Sequence, residues 1–286
     1  MKNKIKNSFS VIIPVYKENE RINLLIKHVK DLCKDFDTEI VVIDGDEEKE
    51  TLKAISDKKI VKLTSQKGRA LQMNRGADHS LADLLLFLHA DTFLPNNAFD
   101  LINDIFQSDK YVAGAFDLGI DNKKFVFKLN SFLASIKHRI TRVPYGDQAI
   151  FIKNEYFKNI GKFKSIPLFE DVELMKRIKK NKDRIYIIAE KVTTSARKWE
   201  KEGAWYTIFR NWTLEFLYLL GSDNLDFKKD CQEIIECNHA GTLILVKNLQ
   251  KEEIAKRKFS VEDILLNRSK NVIEQKIETK QNKKLR

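Results

Sequence analysis

Hydrophobic residues in the first part of the chain fall into short runs separated by stretches with helical spacing. The runs lie within Phe9–Tyr16, Glu39–Gly45 and Ile60–Leu63, and each is bounded by polar residues. A short apolar run with polar limits is typical of a strand buried on both faces of a parallel sheet. The intervening segments, Ile22–Leu32 and Glu47–Ser56, are predicted as helices. This order predicts β-α-β-α-β with right-handed crossovers, and hence an α/β fold.

A fourth apolar run, Asp83–Thr92, reads D-L-L-L-F-L-H-A-D-T and changes from apolar to polar at His89. Ligands of open α/β sheets bind outside the carboxyl ends of the strands. The run therefore predicts that His89 and Asp91 lie at a binding site. On this stretch alone an alternative stays open, in which Asp91 caps the helix after Pro95 or closes a turn.

The second half of the chain predicts further strands and helices. A strand at Ile185–Ala189 is expected to be antiparallel and to lie at an edge of the sheet. The remaining predicted elements are a helix from Pro95 to Phe106, a strand at Tyr111–Gly119, a helix at Phe125–Ile140 and a turn into a strand at Tyr145–Ile152.

Two predicted helices begin with residues that could bind a phosphate group or act as a base. A basic loop with Gly68 and Arg69 opens one helix, and such helix N-termini suit phosphate groups. The loop is not a P-loop, and no G-x-G-x-x-G follows the first strand, so a solvated Arg69 is the alternative. Glu170 and Asp171 open the other helix. Acids there complement the helix dipole, but a carboxylate held partly desolvated at this junction can also act as a base.

The composition is that of a globular protein, with 43% hydrophobic and 10% aromatic residues in a chain of 286. This length fits one large α/β domain with an appendage. The net charge is +11, and residues 247–286 contribute +6 of it. A basic excess suits nucleic acid, an anionic membrane surface or phosphorylated ligands. A solvated Lys-rich tail is preferred over nucleic-acid binding, so no nucleic-acid partner is expected.

The cysteines and the longest apolar segments bear on the cellular compartment. Cys33, Cys231 and Cys237 form a sparse, odd set, which fits a reducing cytoplasm better than a disulfide scaffold. No apolar run approaches the ~20 residues needed to span a bilayer. The aromatic segment Trp205–Leu220 is expected either to lie in a membrane interface or to pack on the core.

Several motifs in order along Ser8–Gly221 resemble those of the family 2 glycosyltransferases of GT-A fold. They are S-V-I-I-P-V-Y-K-E-N-E, V-V-I-D-G, K-G-R-A-L-Q-M-N-R-G-A, L-F-L-H-A-D-T, Y-G-D-Q and F-E-D-V-E-L. The segment A-R-K-W-E-K-E-G-A-W and the aromatic helix after it resemble a bacterial subgroup associated with selenium and arsenosugar genes.

The resemblance implies a Rossmann-like, mostly parallel central sheet flanked by helices, with a C-terminal amphipathic helical extension. The glycosyltransferase domain would span residues 8–221, followed by a basic, partly disordered extension at 222–286. The implied donor is a UDP- or GDP-linked sugar, with Mn²⁺ or Mg²⁺ as cofactor. The expected acceptor is a small molecule or lipid-like. The expected location is the cytoplasm, with peripheral contact at the inner face of the cell membrane.

The resemblance also assigns roles on the donor side. Asp44 would contact the base edge, and Asp91 would ligate the cation that bridges the diphosphate, together with His89. The residues implied to surround the nucleotide-sugar are Pro14, Val15, Tyr16, Glu18, Asp44, Gly68, Arg69, Asn74, His89, Ala90 and Asp91.

On the acceptor side, Asp171 of the Glu-Asp motif would be the general base of a single displacement that inverts the anomeric centre. Glu170 would orient a sugar hydroxyl or the acceptor. The residues implied to border the diphosphate and the acceptor are Asp147, Gln148, Arg197 and Trp199.

Two positions depart from the family pattern. His89 stands where the first acid of an Asp-x-Asp motif is expected, and an imidazole suits Mn²⁺ better than Mg²⁺. It could instead hydrogen-bond the ribose. Asp44-Gly45 stands where an Asp-Asp pair is frequent.

Two other classes of protein remain as alternatives. One is a nucleotide-binding enzyme of a different kind, such as a sugar-phosphate nucleotidyltransferase. That class usually has a Gly-rich first loop, whereas Pro14–Glu18 contains no glycine. The other is a non-catalytic module that binds a nucleotide-sugar or a membrane surface, and His89 is the feature in its favour.

Overall fold

The computed structural model describes residues 6–197, apart from residues 123 and 167. One sheet of eight strands has the order β3-β2-β1-β4-β7-β6-β8-β5. The strands are β1 (Phe9–Val15), β2 (Thr38–Asp44), β3 (Val61–Thr64), β4 (Leu84–Phe87), β5 (Thr92–Phe93), β6 (Ala113–Asp121), β7 (Phe151–Lys153) and β8 (Ile185–Ser195).

Seven α-helices and one short 3₁₀ helix accompany the sheet within the described residues. The α-helices are α1 (Ile22–Leu32), α2 (Glu50–Ala54), α3 (Arg69–His79), α4 (Ala98–Ile105), α5 (Phe125–Thr141), α6 (Asn154–Asn159) and α7 (Glu170–Lys180). The 3₁₀ helix is Gly146–Gln148.

The first half of the sheet is parallel, as predicted. β1 pairs in parallel with both β2 and β4, and β2 pairs in parallel with β3. The carboxyl ends of these strands therefore meet at one edge of the sheet, where ligands of open α/β sheets bind. The predicted α/β class is confirmed.

The second half of the sheet is mixed. β7 is antiparallel to both β4 and β6. The prediction that Ile185–Ala189 forms an antiparallel edge strand is wrong: β8 extends to Ser195 and pairs in parallel with β6. The short β5 pairs with β8 in the antiparallel sense, and β5 is the edge strand on this side of the sheet. β8 is an interior strand because it lies between β6 and β5, although only some of its residues, such as Ile185, Ile187 and Ile188, are buried.

Two apolar clusters cover the two faces of the sheet. One joins α1 and α4 to the sheet through residues such as Ile22, Phe99 and Ile102. The other joins α3, α6 and α7 through Met73, Phe157 and other buried side chains. Helices on both faces explain why the parallel strands are apolar on both sides.

Helix α3 lies unusually close to the sheet and fixes two strand ends. A Cβ atom at Gly76 would lie 2.7 Å from Cγ2 of Ile12 and 2.8 Å from Cδ1 of Ile43, so glycine permits the close approach. One turn earlier, Gln72 Nε2 donates to the carbonyls of Val15 at 2.7 Å and Ile43 at 2.8 Å. This buried amide ties the end of β1 to the end of β2.

Some sequence predictions fall outside the described residues. These concern Trp199, the Trp205–Leu220 helix and the extension at 222–286, so the proposed boundary after residue 221 stays a prediction. Among the described residues, no helix combines the length and apolar character needed to cross a bilayer.

Candidate active site

The site forms where β1, β2 and β4 end. Pro14 and Val15 are buried at the end of β1, and the next residue, Tyr16, is 41% exposed. The Lys67 ammonium lies 4.2 Å from the centre of the Tyr16 ring, a cation–π contact from the loop before α3. An aromatic face beside a basic loop can receive a planar, anionic ligand such as a nucleotide.

The acids after β2 have separate roles. Asp44 is fully buried, and its two carboxylate oxygens accept hydrogen bonds from the amides of Asp46 at 2.9 Å and Leu52 at 3.3 Å. Asp44 therefore holds the loop that follows β2. The Oδ2 atom of Asp46 is buried and has no hydrogen-bond partner within the described part of the chain. Sequence reasoning selected Asp44 and missed Asp46, although its place two residues past the strand end was a usable signal.

The basic loop at α3 is tied to the acidic start of α7. Gly68 precedes α3 with φ of +149°, a conformation that favours glycine. Arg69 Nε lies 2.8 Å from Oε1 of Glu170, which is 2% exposed. Burial raises the pKa of Glu170, an effect that Arg69 opposes and the neighbouring Asp171 reinforces. A buried carboxylate held by a half-exposed guanidinium makes this pair a rigid wall of the site.

A glycine brings the candidate base next to the candidate metal ligand. The Gly146 amide donates to Oδ2 of Asp171, and the Val172 amide donates to Oδ1 at 2.7 Å. A Cβ atom at Gly146 would lie 3.1 Å from both Asp171 Oδ2 and His89 Nε2. The turn before β7 thus lies close to both the carboxylate of α7 and the imidazole that follows β4.

The imidazole of His89 is neutral at physiological pH. Burial, reinforced by the positive charge of Arg69, lowers its pKa from 6.5 to about 3. A neutral imidazole keeps a lone pair on one ring nitrogen, which can accept a hydrogen bond or ligate a metal.

The carboxylates of the site repel one another. Burial raises the pKa of Asp147 from 3.8 to about 7, and the charges of Asp171 and Asp91 add to the shift while Arg69 opposes it. Oδ1 of Asp147 is buried with no hydrogen-bond partner within the described residues. Burial and the nearby Asp91 also raise the pKa of Glu18, against the opposing effect of Arg197. The repulsion among these carboxylates decreases when a cation binds between them.

The end of β8 closes the site beside Asp91. The Ser195 amide donates to the Asp91 carbonyl at 3.1 Å, and Arg197 Nη2 lies 3.6 Å from Oε2 of Glu18. The alternative in which Asp91 caps the next helix is wrong, because the residue at the N-cap of α4 is Asn97. The other part of that alternative is confirmed, because Asp91 lies in a turn in which the Thr92 amide donates to the His89 carbonyl at 3.1 Å. Asp91 also lies among the other acids of the site.

Three of the predicted site residues serve packing and hydrogen bonding within the protein. The Asn74 carboxamide donates to the Phe163 carbonyl at 2.8 Å and accepts from the Phe163 amide at 3.1 Å. The buried Gln148 carboxamide accepts from the Tyr145 amide at 3.0 Å and donates to the Phe116 carbonyl at 2.7 Å. Ala90 belongs to the apolar core.

The donor atoms fit a divalent cation only with help from a ligand. Among the described residues, no group of three or more His, Cys, Asp or Glu side chains is arranged to hold a metal by itself. The site does offer carboxylate oxygens at Asp91 and Asp147 and an imidazole nitrogen at His89. Mg²⁺ and Mn²⁺ are commonly held by one or two carboxylates plus substrate phosphates. The unsatisfied Asp147 oxygen and the repulsion among the acids fit such a cation.

Residues 10–166 match the family described as Glycosyl transferase family 2. The match covers more than half of the chain, so the chain belongs to this family. The class is therefore that of the glycosyltransferases, and the mixed sheet with helices on both faces is the GT-A arrangement that the motifs implied. No curated protein matches the sequence significantly.

Solved structures support the fold. The crystal structure of S. aureus TarS 1–349 superposes with a TM-score of 0.52 at 18% identity, over 73% of this chain and 65% of that one. Its complexes with UDP and with UDP-GlcNAc each match 66% of this chain, with the same TM-score and identity, and 60% and 58% of theirs. This chain thus spans less than two thirds of TarS 1–349, and the likeness is one of fold.

Proposed function

We propose that this protein transfers a sugar from a nucleotide-diphospho-sugar to an acceptor hydroxyl, with inversion and with Asp171 as general base. The observation that carries the proposal is the close approach of both Asp171 and His89 to Gly146, at the edge where the parallel strands end. The GT-A fold and the family match support the same class of reaction.

UDP is the first nucleotide to test, because the similar TarS structures were solved with UDP and UDP-GlcNAc. Tyr16 and the buried Asp46 oxygen would face the nucleoside, since both follow directly on the ends of adjacent parallel strands. Asp44 would act on the base indirectly by fixing the loop that carries Asp46. GDP stays the alternative nucleotide.

Asp91 and His89 would hold Mn²⁺ or Mg²⁺, with Asp147 within the same acidic set. The cation would neutralise the negative charge that develops on the leaving diphosphate. The neutral imidazole favours Mn²⁺, because nitrogen ligands suit Mg²⁺ poorly. Arg197, which already lies near Glu18, would add a positive charge on the same side.

The protein's own residues account for the proton transfer. Backbone amides of Gly146 and Val172 hold the Asp171 carboxylate in one orientation and leave lone pairs free on both oxygens. That carboxylate would accept the proton of the attacking hydroxyl. Glu170, fixed by Arg69, would orient the acceptor or a sugar hydroxyl. A small-molecule or lipid-like acceptor, and the selenium and arsenosugar subgroup, stay predictions.

The test is turnover of UDP- and GDP-sugars with Mn²⁺, comparing the wild type with Asp171→Asn. Glu173→Gln is the matched control, because Glu173 lies on the same helix and pairs with Lys164 and Arg177 outside the site. The proposal expects a loss of about 10²–10⁴-fold in kcat for Asp171→Asn with donor affinity retained. Equal turnover in all three proteins would refute the assignment of the base. Turnover that requires added pyrophosphate and yields UTP and a sugar 1-phosphate, instead of UDP, would favour a nucleotidyltransferase.

A further inference from the structure

Helix α5 buries Phe127 but otherwise turns polar residues inward and large apolar residues outward, unlike a usual surface helix. Ser131, Ser135 and His138 are buried toward the protein, and α5 packs against β6. The large apolar residues that point outward are Leu129, Phe132, Leu133, Ile136 and Ile140.

These five outward residues, here termed the α5 stripe, form a continuous surface. Phe132 is 57% exposed and Ile140 is 77% exposed. At 100° per residue, the five positions fall within an arc of about 100° on the helix. A contiguous exposed apolar surface marks a binding surface, whereas scattered single residues such as Leu81 do not.

Positive charge surrounds the α5 stripe. Residues 122–142 contain six Lys and Arg and no Asp or Glu. By the same helical spacing, Lys128 and Arg139 flank the stripe on one side and Lys137 on the other. Arg139 also pairs with Asp117, and Lys137 also donates to the Tyr145 hydroxyl, so Lys128 is the flanking cation with no ion pair among the described residues. An apolar wedge between basic side chains is the pattern of a helix that lies in the headgroup region of an anionic bilayer, with lysine stems extending to the phosphates.

We propose that the α5 stripe is a membrane-binding surface that inserts into an anionic lipid bilayer. The charge pattern favours this partner over a second copy of the chain, because a symmetric contact would place the same basic flanks against each other. It also favours lipid over the chain's own residues 198–221, whose three basic and three acidic residues give no net negative charge to match the basic flanks. The basic residues 247–286 would strengthen attraction to the same surface.

The stripe is connected to the candidate active site. Lys137 donates to the Tyr145 hydroxyl at 3.0 Å, and the His138 and Tyr145 rings lie 4.7 Å apart. Tyr145 begins the turn that carries Gly146 and Asp147. A membrane seated on α5 would therefore lie next to the acceptor side. The binding test does not depend on the proposed reaction.

The experiment is co-sedimentation of the full chain with vesicles of phosphatidylcholine alone and of phosphatidylcholine with phosphatidylglycerol. The variant is Phe132→Ser/Ile136→Ser. The matched control is Leu24→Ser/Leu81→Ser, which removes two exposed apolar residues elsewhere. The proposal expects binding to the anionic vesicles, weakened about tenfold or more by the stripe variant and unchanged in the control.

Three results would overturn the proposal. The first is absence of wild-type binding to either vesicle, and the second is equal binding by the stripe variant, which would assign attachment to another part of the chain. The third is a changed solution state of the variant without lipid. Conversion of a dimer to a monomer would identify a second copy as the partner. Faster proteolysis within residues 198–221 in the variant than in the wild type would identify that segment as the partner of the α5 stripe.

Discussion

Asp147 gives the sharpest quantitative test of the site's electrostatics. Its pKa is about 7 in the folded protein, against 3.8 for an ordinary Asp. The folded state therefore holds this proton more tightly than the unfolded state does. The resulting stability is fully present below pH 3.8 and is lost as the pH rises to about 7. The difference of roughly 3 pKa units corresponds to about 4 kcal/mol at most.

Asp147→Asn should remove this penalty, because the amide keeps the shape of the side chain without the charge. The variant should gain about 2–4 kcal/mol of unfolding free energy at pH 8 and less than 1 kcal/mol at pH 4. Urea titrations of both proteins at several pH values, with a chelator present, measure the difference. Asp35→Asn, at an exposed position, is the control. A gain that does not change with pH, or no gain at pH 8, would refute the reasoning.

Three further predictions concern single residues. His89→Asn should flatten the fall in stability between pH 6.5 and about 3, since the folded state excludes the proton that unfolded histidine binds; an unchanged acid limb in urea titrations would contradict this. Gly146→Ala should lower kcat for donor turnover by about tenfold with little change in melting temperature, because the new methyl group displaces the neighbouring base and imidazole by a few tenths of an ångström; retained kcat would show that their spacing is unimportant. Gly76→Ala should cost about 1–3 kcal/mol in urea titrations without affecting turnover per folded molecule, because its Cβ would clash with Ile12 and Ile43; a stable variant would show that α3 can shift.

The first half of the fold could be read from the sequence because parallel strands leave a strong local signal. The apolar run at Asp83–Thr92 ends close to the last residue of β4, and its polar residues do lie at the site. The second half was harder to predict because no local sequence pattern specifies which strand β8 pairs with or in which direction. Its partner β6 lies far away in the sequence, and the pairing shifts register between Phe116 and Asp117.

The position of the candidate site could be predicted from the sequence, but the role of each residue in it could not. Asp44 and Asp46 are both acids after one strand, and only the backbone of the loop determines which one is used internally. Likewise, Asn74 and Gln148 lie near the site in sequence, yet their amides are satisfied by backbone groups that the sequence does not place beside them.

The sequence predicted a helix at Phe125–Ile140, but it did not show which face of that helix points inward. The buried Ser131 and Ser135 reverse the usual orientation. That reversal depends on the neighbouring β6, where buried Asp117 pairs with Arg139. The orientation of α5 is therefore determined by its packing on the sheet and not by its own sequence pattern.

The most direct test of the central claim is calorimetric titration of UDP and GDP with Mn²⁺, with Mg²⁺ and with chelator. The wild type is compared with Asp91→Asn, and Asp121→Asn, a change at an exposed acid, serves as the control. The account predicts that one nucleotide binds in a metal-dependent manner, more tightly with Mn²⁺ than with Mg²⁺, and that Asp91→Asn alone abolishes the metal dependence. Folded protein that binds neither nucleotide, or binding that is equal with chelator and in Asp91→Asn, would contradict it.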